Sequence, residues 1–422
     1  MTKAQDKKKL INNFIALFIV QGSNYLIPLI TFPYIVHTIG IEKFGLISFA
    51  TAFIAYPTLL VIYGLDLSGV REVASAKNSK RRLNIIFSSI LLTRAILIVL
   101  AAILTFSIVF SFDRFSTNWL LYVVSFSAII ATTIFPIWFF QGMEKMKFIT
   151  YLSVASKILY LIGIFIFVHS EEDYLYVPLL YAATSFLVGI ISLYIIRKEF
   201  GISFIFPRLK YIIHQFYRGW HLFIAHVSVS LFTSFNMLIL GLVASDLIVG
   251  YYALAEKIVK IVVSLFNPVN QAIFPHVVQL AKKSEEMAAV FMNKITLYIL
   301  FVGVVIWAIL FFFSENIFGL VFGEQALSSI PVFNILSLLI IIMPLAAWVY
   351  NVILISLKME KHFVKIFSFI AVINAIIIGL SLPLFESKEN VIAMSLVCSE
   401  LISLLIGLYL YRSKILLNRN AK

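Results

Sequence analysis

Long apolar runs separated by short polar segments set the pattern of this chain. Each run is close to the length of about 20 residues that an α-helix needs to cross the hydrocarbon core of a membrane. The runs lack the alternation of apolar and polar positions that is typical of membrane β-barrel strands. The pattern predicts about twelve membrane-spanning helices, over residues 11–36, 44–64, 85–112, 119–140, 149–168, 175–196, 219–244, 250–274, 290–314, 328–356, 362–384 and 390–412.

The composition indicates a helical membrane protein rather than a soluble one. Of the 422 residues, 62% are hydrophobic and 13% are charged, and the mean hydropathy is +1.02. A single cysteine, Cys398, leaves no disulfide framework and no cysteine metal site. The first apolar run is too long for a signal peptide, so we interpret it as an uncleaved first helix. We expect an all-α polytopic membrane protein without a bound metal.

The basic residues are concentrated in alternate connections between the predicted spans. These connections carry most of the 33 Lys and Arg residues, whereas the connections on the other side carry Lys43, Arg114 and Lys388. Because cytoplasmic loops are enriched in Lys and Arg, this asymmetry predicts that both termini are cytoplasmic. Topology then accounts for the formal charge of +13, and no nucleic-acid partner is expected.

The longest basic connections, about 65–84 and 197–218, are expected to be cytoplasmic loops. The second divides the predicted spans into two equal sets. We therefore expect an N-terminal six-helix bundle over 1–196, a cytoplasmic inter-bundle loop over 197–218 and a C-terminal six-helix bundle over 219–422.

A weak internal repeat supports this division. Phe44-Gly45 corresponds to Val249-Gly250, and Met143-Glu144-Lys145 recurs as Met359-Glu360-Lys361. Both matches fall at equivalent turns of the two halves. They predict a parallel repeat with a substrate path between the bundles. Prolines in or near the spans are expected to bend them: Pro28, Pro33, Pro57, Pro136, Pro268 and Pro344.

Basic side chains inside predicted spans are candidates for substrate binding. Arg94, Lys157, Lys257 and Lys260 occupy such positions, where a charge costs at least about 2.5–3.5 kcal/mol and usually marks a transport path. Together they would form a cationic interior that attracts anions. Two alternatives remain open. Glu256 and Lys260, four residues apart, would neutralise each other, and the other basic side chains would reach the lipid headgroups.

Two carboxylates inside predicted spans, Glu256 and Glu400, are candidates for ion coupling. A carboxyl group in a low-dielectric setting has its ionised form disfavoured and can exchange protons. A hydrogen bond between helices is the alternative for Glu400, and it is the expected role of Asn24 and Asn236. The sequence contains no phosphate-binding G-x-x-x-x-G-K-[ST] loop. Uphill transport would therefore need an ion gradient or a partner.

Several motifs resemble those of the Wzx/RfbX-type polysaccharide flippases of the MOP superfamily, which are related in fold to MATE transporters. The motifs are FPYIVHTIG at 32–40, YGLDLSGVREVA at 63–74, PIWFFQGMEK at 136–145 and GYYALAEK at 250–257. Their order and spacing span nearly the whole chain. One feature departs from the family, because His37 stands where members often carry Arg.

The resemblance implies two six-helix bundles around a cationic central cavity. The implied activity is movement of undecaprenyl-diphosphate-linked O-antigen or related repeat units from the cytoplasmic to the periplasmic leaflet of the bacterial inner membrane. Membrane lipids and a polysaccharide polymerase or chain-length complex would be partners. No cofactor is implied, and coupling to H⁺ or Na⁺ is left open.

Three other classes remain at this stage. A major facilitator transporter would share the six-plus-six spans, but its usual motif after the second span is missing. A MATE-type drug exporter should have an acidic cavity for cationic drugs. A membrane glycan ligase or polymerase is disfavoured because the predicted external loops are short.

Overall fold

A computed structural model describes the backbone of residues 3–357, 359 and 363–420. Within these ranges, side chains are described except at 3–21, 25, 225, 226, 228–233, 285, 364 and 415–420. The described residues form α-helices with short 3₁₀ and π-helical turns and contain no strand. The prediction of an all-α membrane protein is confirmed.

The first two predicted spans belong to one long element, α1 (Lys3–Ile62), whose helical geometry is interrupted at Gly40. Gly40 has φ 77° and ψ 164°, a conformation that residues with a Cβ rarely adopt. The expected bend sites Pro28, Pro33 and Pro57 instead lie within helical backbone. The break in helical geometry therefore falls at a glycine, and bending at these prolines stays a prediction.

The predicted connection over 65–84 is mostly helical. It contains α2 (Leu65–Ala76), which packs against α3 (Lys80–Ser111) and a later short helix, α6 (Ile137–Gly142). The spacing of the buried positions is typical of a helix with one face toward the interior: Leu65, Ser68, Glu72 and Val73 are buried. α2 thereby brings acidic residues against the spans.

The predicted span 119–140 is broken into two helices around Pro136. After α4 (Asp113–Ser116), α5 (Trp119–Ile134) ends before Phe135, which has extended backbone angles, and α6 (Ile137–Gly142) follows the proline. A residue that precedes proline is driven from helical to extended geometry. The expectation of a bend at Pro136 is confirmed. α7 (Met146–Phe167), a 3₁₀ turn (Glu171–Leu175) and α8 (Tyr176–Phe200) complete this part.

The remaining helices show two further breaks within predicted spans. The span 250–274 divides between α10 and α11, directly ahead of Pro268, and the span 328–356 bends by 44° between α14 and α15. The elements are α9 (Leu209–Val243), α10 (Asp246–Ser264), α11 (Asn267–Lys283), α12 (Glu285–Phe312), α13 (Ser314–Phe322), a 3₁₀ turn (Glu324–Ser329), α14 (Ile330–Leu336), α15 (Leu339–Trp348), a π-helical turn (Val349–Leu354), α16 (Phe363–Ser381) and α17 (Lys388–Asn420).

The chain divides into two compact units. The first comprises Met1–Gly40 and Phe49–Val227, and the second comprises Ile41–Ser48 and Ser228–Lys422. In the first unit α5 and α7 pack along α8; in the second, α17 packs against α14, α15 and α16. The predicted bundle boundaries, 1–196 and 219–422, stay a prediction. Residues 201–208 are the irregular part of the predicted inter-bundle loop.

Seven described helices are long and apolar enough to cross a membrane, or eight if the bent pair after Gly323 counts as one span. α10 is not among them, because Glu256, Lys257 and Lys260 all fall within its 19 residues. Many large apolar side chains are exposed, including Phe312 on α12. The membrane-spanning character is therefore established, while the count of twelve spans stays a prediction.

The two glycines of the internal repeat meet in the second unit. A Cβ on Gly45 would lie 2.0 Å from the carbonyl oxygen of Asp246, and a Cβ on Gly250 would lie 2.2 Å from that of Ile41. The backbone of the segment around Gly45 therefore contacts the backbone of the first turns of α10. The second repeat match includes Glu360 and Lys361, which lie outside the described residues.

Candidate substrate-binding and ion-coupling residues

Arg94 is buried in the middle of α3 and is bound to an acidic partner. Its side chain is 4% exposed, and Nη2 donates to Oδ1 of Asp66 at 2.6 Å. Asp66 lies in the first turn of α2, in the predicted connection between spans. Among the described residues, Nε of Arg94 has no hydrogen-bond partner. Arg94 is therefore a neutralised cation rather than a free one.

The Arg94–Asp66 pair lines a pocket of about 360 Å³ in the first unit. Its walls come from the end of α1, from α2, from α3 and from the α5–α6 break. Thr132 and Gln141 contribute further polar groups, and the indole of Trp138 forms part of the wall. Residues on both sides of the break at Pro136 line the pocket.

Lys157 is half-buried on α7 and binds neutral polar groups of α1. Its Nζ donates to Oγ of Ser23 at 3.3 Å and to Oδ1 of Asn24. The hydrogen bond between helices that was predicted for Asn24 is therefore present, and it joins α1 to α7. Among the described residues, no carboxylate lies within ion-pair distance of Lys157.

The charged group on α10 separates into a pair and a single lysine. Nζ of Lys260 lies 2.9 Å from Oε1 of Glu256, one helical turn away. The Glu256 side chain is 11% exposed, whereas that of Lys260 is 48% exposed. Lys257 is exposed and forms no ion pair with any of the described residues. Of the four basic residues predicted to bind substrate, Arg94 and Lys260 are thus paired with a carboxylate, and Lys157 and Lys257 are not paired with any described carboxylate.

Glu400 is buried on α17 beside the π-helical turn. It interacts electrostatically with Tyr350, whose hydroxyl donates to the backbone carbonyl of Ser403 at 2.7 Å. The ion pairs recorded among the described residues do not include Glu400. π-Helical turns often occur at functional sites. The turn therefore places a polar hydroxyl next to a buried carboxyl group.

A second polar network in this unit was only partly foreseen. Nδ2 of Asn374 donates to Oδ1 of Asn236 at 2.5 Å, and Oγ of Ser399 donates to Oδ1 of Asn374 at 3.1 Å. The three side chains are buried and join α9, α16 and α17. The sequence singled out Asn236 as a hydrogen-bonding residue. The sequence did not identify its partners, because residues that pair between separate helices have no fixed separation along the chain.

The first unit also contains a buried glutamate with two hydrogen-bond partners that were not identified from the sequence. Oε2 of Glu72 accepts from Nε2 of Gln215 at 3.0 Å, and Oε1 accepts from Nη1 of Arg218 at 3.2 Å. Glu72 and Gln215 are buried, while Arg218 is about half exposed. These three residues join α2 to the first part of α9. They were assigned to loops, so no interior role was expected for them.

No metal centre is found among the described residues, since no group of His, Cys, Asp and Glu side chains is placed to hold an ion. The predicted site residues fall into separate local environments. Arg94 and Lys157 belong to the first unit, and Glu256, Lys257, Lys260 and Glu400 belong to the second. A common cationic cavity stays a prediction.

The helical architecture matches known transporter structures over nearly the whole chain. A multidrug resistance MATE family transporter of the MOP superfamily, solved in an inward-facing conformation, aligns with a TM-score of 0.74 and 13% identity, covering 97% of this chain and 99% of the other. The lipid II flippase MurJ, in an inward closed conformation, aligns with a TM-score of 0.71 and 15% identity, covering 94% and 87%. These likenesses establish the fold.

The fold is that of MATE-type transporters. The chain belongs to the family described as "Polysaccharide biosynthesis protein", whose model matches residues 10–281. A protein of Escherichia coli (strain K12) named "Putative O-antigen transporter" is 29% identical over 97% of this chain and 99% of its own length. A protein of the same name from Shigella dysenteriae is 31% identical over 64% and 67%.

These comparisons confirm the resemblance to polysaccharide flippases of the MOP superfamily. They also confirm that the chain is a transporter and not an enzyme, since both sequence relatives are named as transporters. The alternative of a glycan ligase or polymerase is therefore set aside.

Proposed function

We propose that the protein is a flippase that moves undecaprenyl-diphosphate-linked repeat units of O-antigen or a related polysaccharide from the cytoplasmic to the periplasmic leaflet of the bacterial inner membrane. The observation that carries this proposal is the similarity to a protein named as an O-antigen transporter over 97% of this chain and 99% of that protein. The polysaccharide family and the MATE-type fold support it. The basic connections favour cytoplasmic termini.

The proposed mechanism is alternating access, in which a cytoplasm-open cavity admits the diphosphate and glycan and later opens to the periplasm. Of the four candidate headgroup contacts, Arg94 and Lys260 already have carboxylate partners. Lys157 and Lys257 have none within ion-pair distance among the described residues. We assign the principal diphosphate contacts to Lys157 and Lys257, because a cation without a paired carboxylate attracts an anion more strongly.

Coupling to H⁺ or Na⁺ is part of the proposal and is assigned first to Glu400. Glu256 is already paired with Lys260, so a cation at Glu256 would have to displace an ammonium group. Glu400 is buried and no ion pair is recorded for it among the described residues. The proposal involves no bound cofactor. A polymerase or chain-length complex would act as a partner by consuming the translocated repeat unit.

The direct test is headgroup translocation in proteoliposomes that contain an undecaprenyl-diphosphate-linked oligosaccharide. We expect wild-type protein to move the headgroup, and Lys257→Gln to slow movement by about ten-fold or more, since a hydrogen bond to a charged group contributes about 1.5–3 kcal/mol. Lys283→Gln, which removes an exposed lysine on α11, is the matched control and should transport normally. Normal transport by Lys257→Gln would contradict the headgroup assignment.

The same vesicles test coupling when an H⁺ or Na⁺ gradient is imposed. We expect a gradient to accelerate wild-type transport and to have no effect on Glu400→Gln, which keeps the side-chain shape but cannot ionise. Acceleration of both proteins would contradict the role of Glu400. No movement under any gradient, with insertion verified, would contradict autonomous flipping and favour a required partner or a MATE-type small-molecule exporter.

A further inference from the structure

The pocket around Arg94 has the construction of a binding site. It lies inside the first unit, has a volume of about 360 Å³ and is bordered by exposed residues including Thr132, Ile137 and Gln141. Small-molecule sites commonly enclose about 300–1,000 Å³. Two of the lining residues carry a buried donor without a hydrogen-bond partner among the described residues, Nε of Arg94 and Nε1 of Trp138. The pocket therefore combines an open mouth with polar groups held in place.

The charges of the pocket cancel. Arg94 and Asp66 are the only charged residues among those that line it, and their side chains are joined at 2.6 Å. An anionic ligand would have to approach the carboxylate of Asp66 as well as the guanidinium. The repulsion from one group would offset much of the attraction to the other. The pocket is consequently suited to an uncharged ligand.

The remaining polar groups suit a ligand that carries hydroxyl groups. Asp66 supplies acceptors, Arg94 supplies donors, and the amide of Gln141 supplies both. The Thr132 and Thr133 hydroxyls donate to the carbonyls of Ala128 and Ile129 in their own helix, at 2.9 and 2.7 Å. Their lone pairs remain as acceptors for a ligand. A hydroxyl group both donates and accepts, so it matches this mixture better than a purely accepting phosphate.

The apolar part of the wall completes the match. Ile129, Phe135, Ile137 and Trp138 line the pocket beside the polar groups. A sugar ring presents C–H surface between its hydroxyls, and this surface can contact apolar walls while the hydroxyls reach the polar side chains.

We propose that this pocket binds a neutral sugar ring of the transported oligosaccharide, and that its Arg94–Asp66 pair recognises sugar hydroxyls rather than the diphosphate. This inference rests on the flippase function proposed above. It gives Arg94 a different ligand from Lys157 and Lys257. The glycan and the diphosphate would then be held by separate groups of the same chain.

The test uses purified full-length protein and soluble probes. Methyl glycosides of neutral hexoses and inorganic diphosphate are titrated separately, with binding followed by saturation-transfer NMR and calorimetry. We expect saturable binding of at least one glycoside and none of diphosphate at this pocket. Gln141→Ala should weaken glycoside binding by about ten-fold, on the scale of a lost hydrogen bond. Gln279→Ala removes an exposed glutamine on α11 and should bind as wild type does.

Asp66→Asn provides a test of the charge balance. It removes the negative charge beside Arg94 and nearly conserves the shape of the side chain. We expect this variant to lose affinity for the glycoside and to acquire affinity for diphosphate. If Asp66→Asn fails to fold, Gln141→Ala decides the question alone, because Gln141 is exposed.

Three results would overturn the inference: no wild-type binding of any glycoside, glycoside binding that survives Gln141→Ala, or diphosphate binding to wild-type protein that Arg94→Gln abolishes. The proposed function is measured separately, by translocation in proteoliposomes. Translocation without glycoside binding would reject the sugar pocket and leave the flippase. Glycoside binding at the pocket without any translocation would reject the autonomous flippase and leave the sugar-binding site.

Discussion

Substitution of either repeat glycine should destabilise the second unit, and the structure gives the size of the effect. A Cβ on Gly45 would lie 2.0 Å from the oxygen of Asp246 and 2.5 Å from the nitrogen of Gly250. A Cβ on Gly250 would lie 2.2 Å from the oxygen of Ile41. All three are backbone atoms, so no side chain can rotate away. The two segments would have to separate by on the order of 1 Å to restore normal contact.

Overpacking of this kind costs about 1–3 kcal/mol or more. Replacing glycine by alanine inside a helix gains about 0.5–1 kcal/mol, which is less than this cost. We therefore expect both Gly45→Ala and Gly250→Ala to lower stability. Gly379 is the matched control, because it lies in α16 of the same unit with no atom within 4 Å of a built Cβ. Gly379→Ala should be neutral or stabilising.

The assay is thermal unfolding of detergent-solubilised protein, with the yield of monodisperse protein as a second readout. We expect midpoints below wild type for Gly45→Ala and Gly250→Ala and at or above wild type for Gly379→Ala. Equal midpoints for all three variants would refute the close backbone contact. Gly45→Ala and Gly250→Ala act at one crossing, so their effects should also be less than additive in the double variant.

Two further predictions concern buried hydrogen bonds. Glu72→Ala should destabilise the first unit by about 1–3 kcal/mol, because it leaves buried Gln215 with only its 3.5 Å hydrogen bond to Ser89. Arg218→Ala should cost under about 1 kcal/mol because that ion pair is half exposed, and equal losses in thermal stability would contradict this ranking. Asn374→Ala should cost about 1–3 kcal/mol by removing the partner of both Asn236 and Ser399, and a wild-type unfolding midpoint would show that the network contributes little.

The parts of the fold that could be predicted from sequence are those set by local physics. Apolar runs of membrane-spanning length identified the helical membrane class, and Pro136 was expected to bend its span. The Glu256–Lys260 pair was also predictable, because a separation of four residues places both side chains on one helical face. Each of these inferences needs only a few consecutive residues.

The parts that could not be predicted depend on which helices become neighbours. α2 lies in a segment that was predicted only as a connection between spans, and it packs on α3 and α6. Asp66 and Arg94 lie 28 positions apart, and Asn236 and Asn374 lie 138 apart. No periodicity links residues at such separations. The pocket was missed for the same reason, since it requires four chain segments to meet.

The position of α2 changes how the excess of positive charge should be understood. Its two acidic residues each pair with a basic residue: Asp66 binds Arg94, and Glu72 binds Arg218. A buried charge is costly unless it is paired, so an acidic partner is the expected way to stabilise Arg94 inside a span. The net charge of +13 therefore does not translate into a uniformly cationic interior. In the flippase proposed above, recognition of the diphosphate would fall to lysines that have no ion-paired carboxylate among the described residues, and the pocket around Arg94 would be left for the glycan.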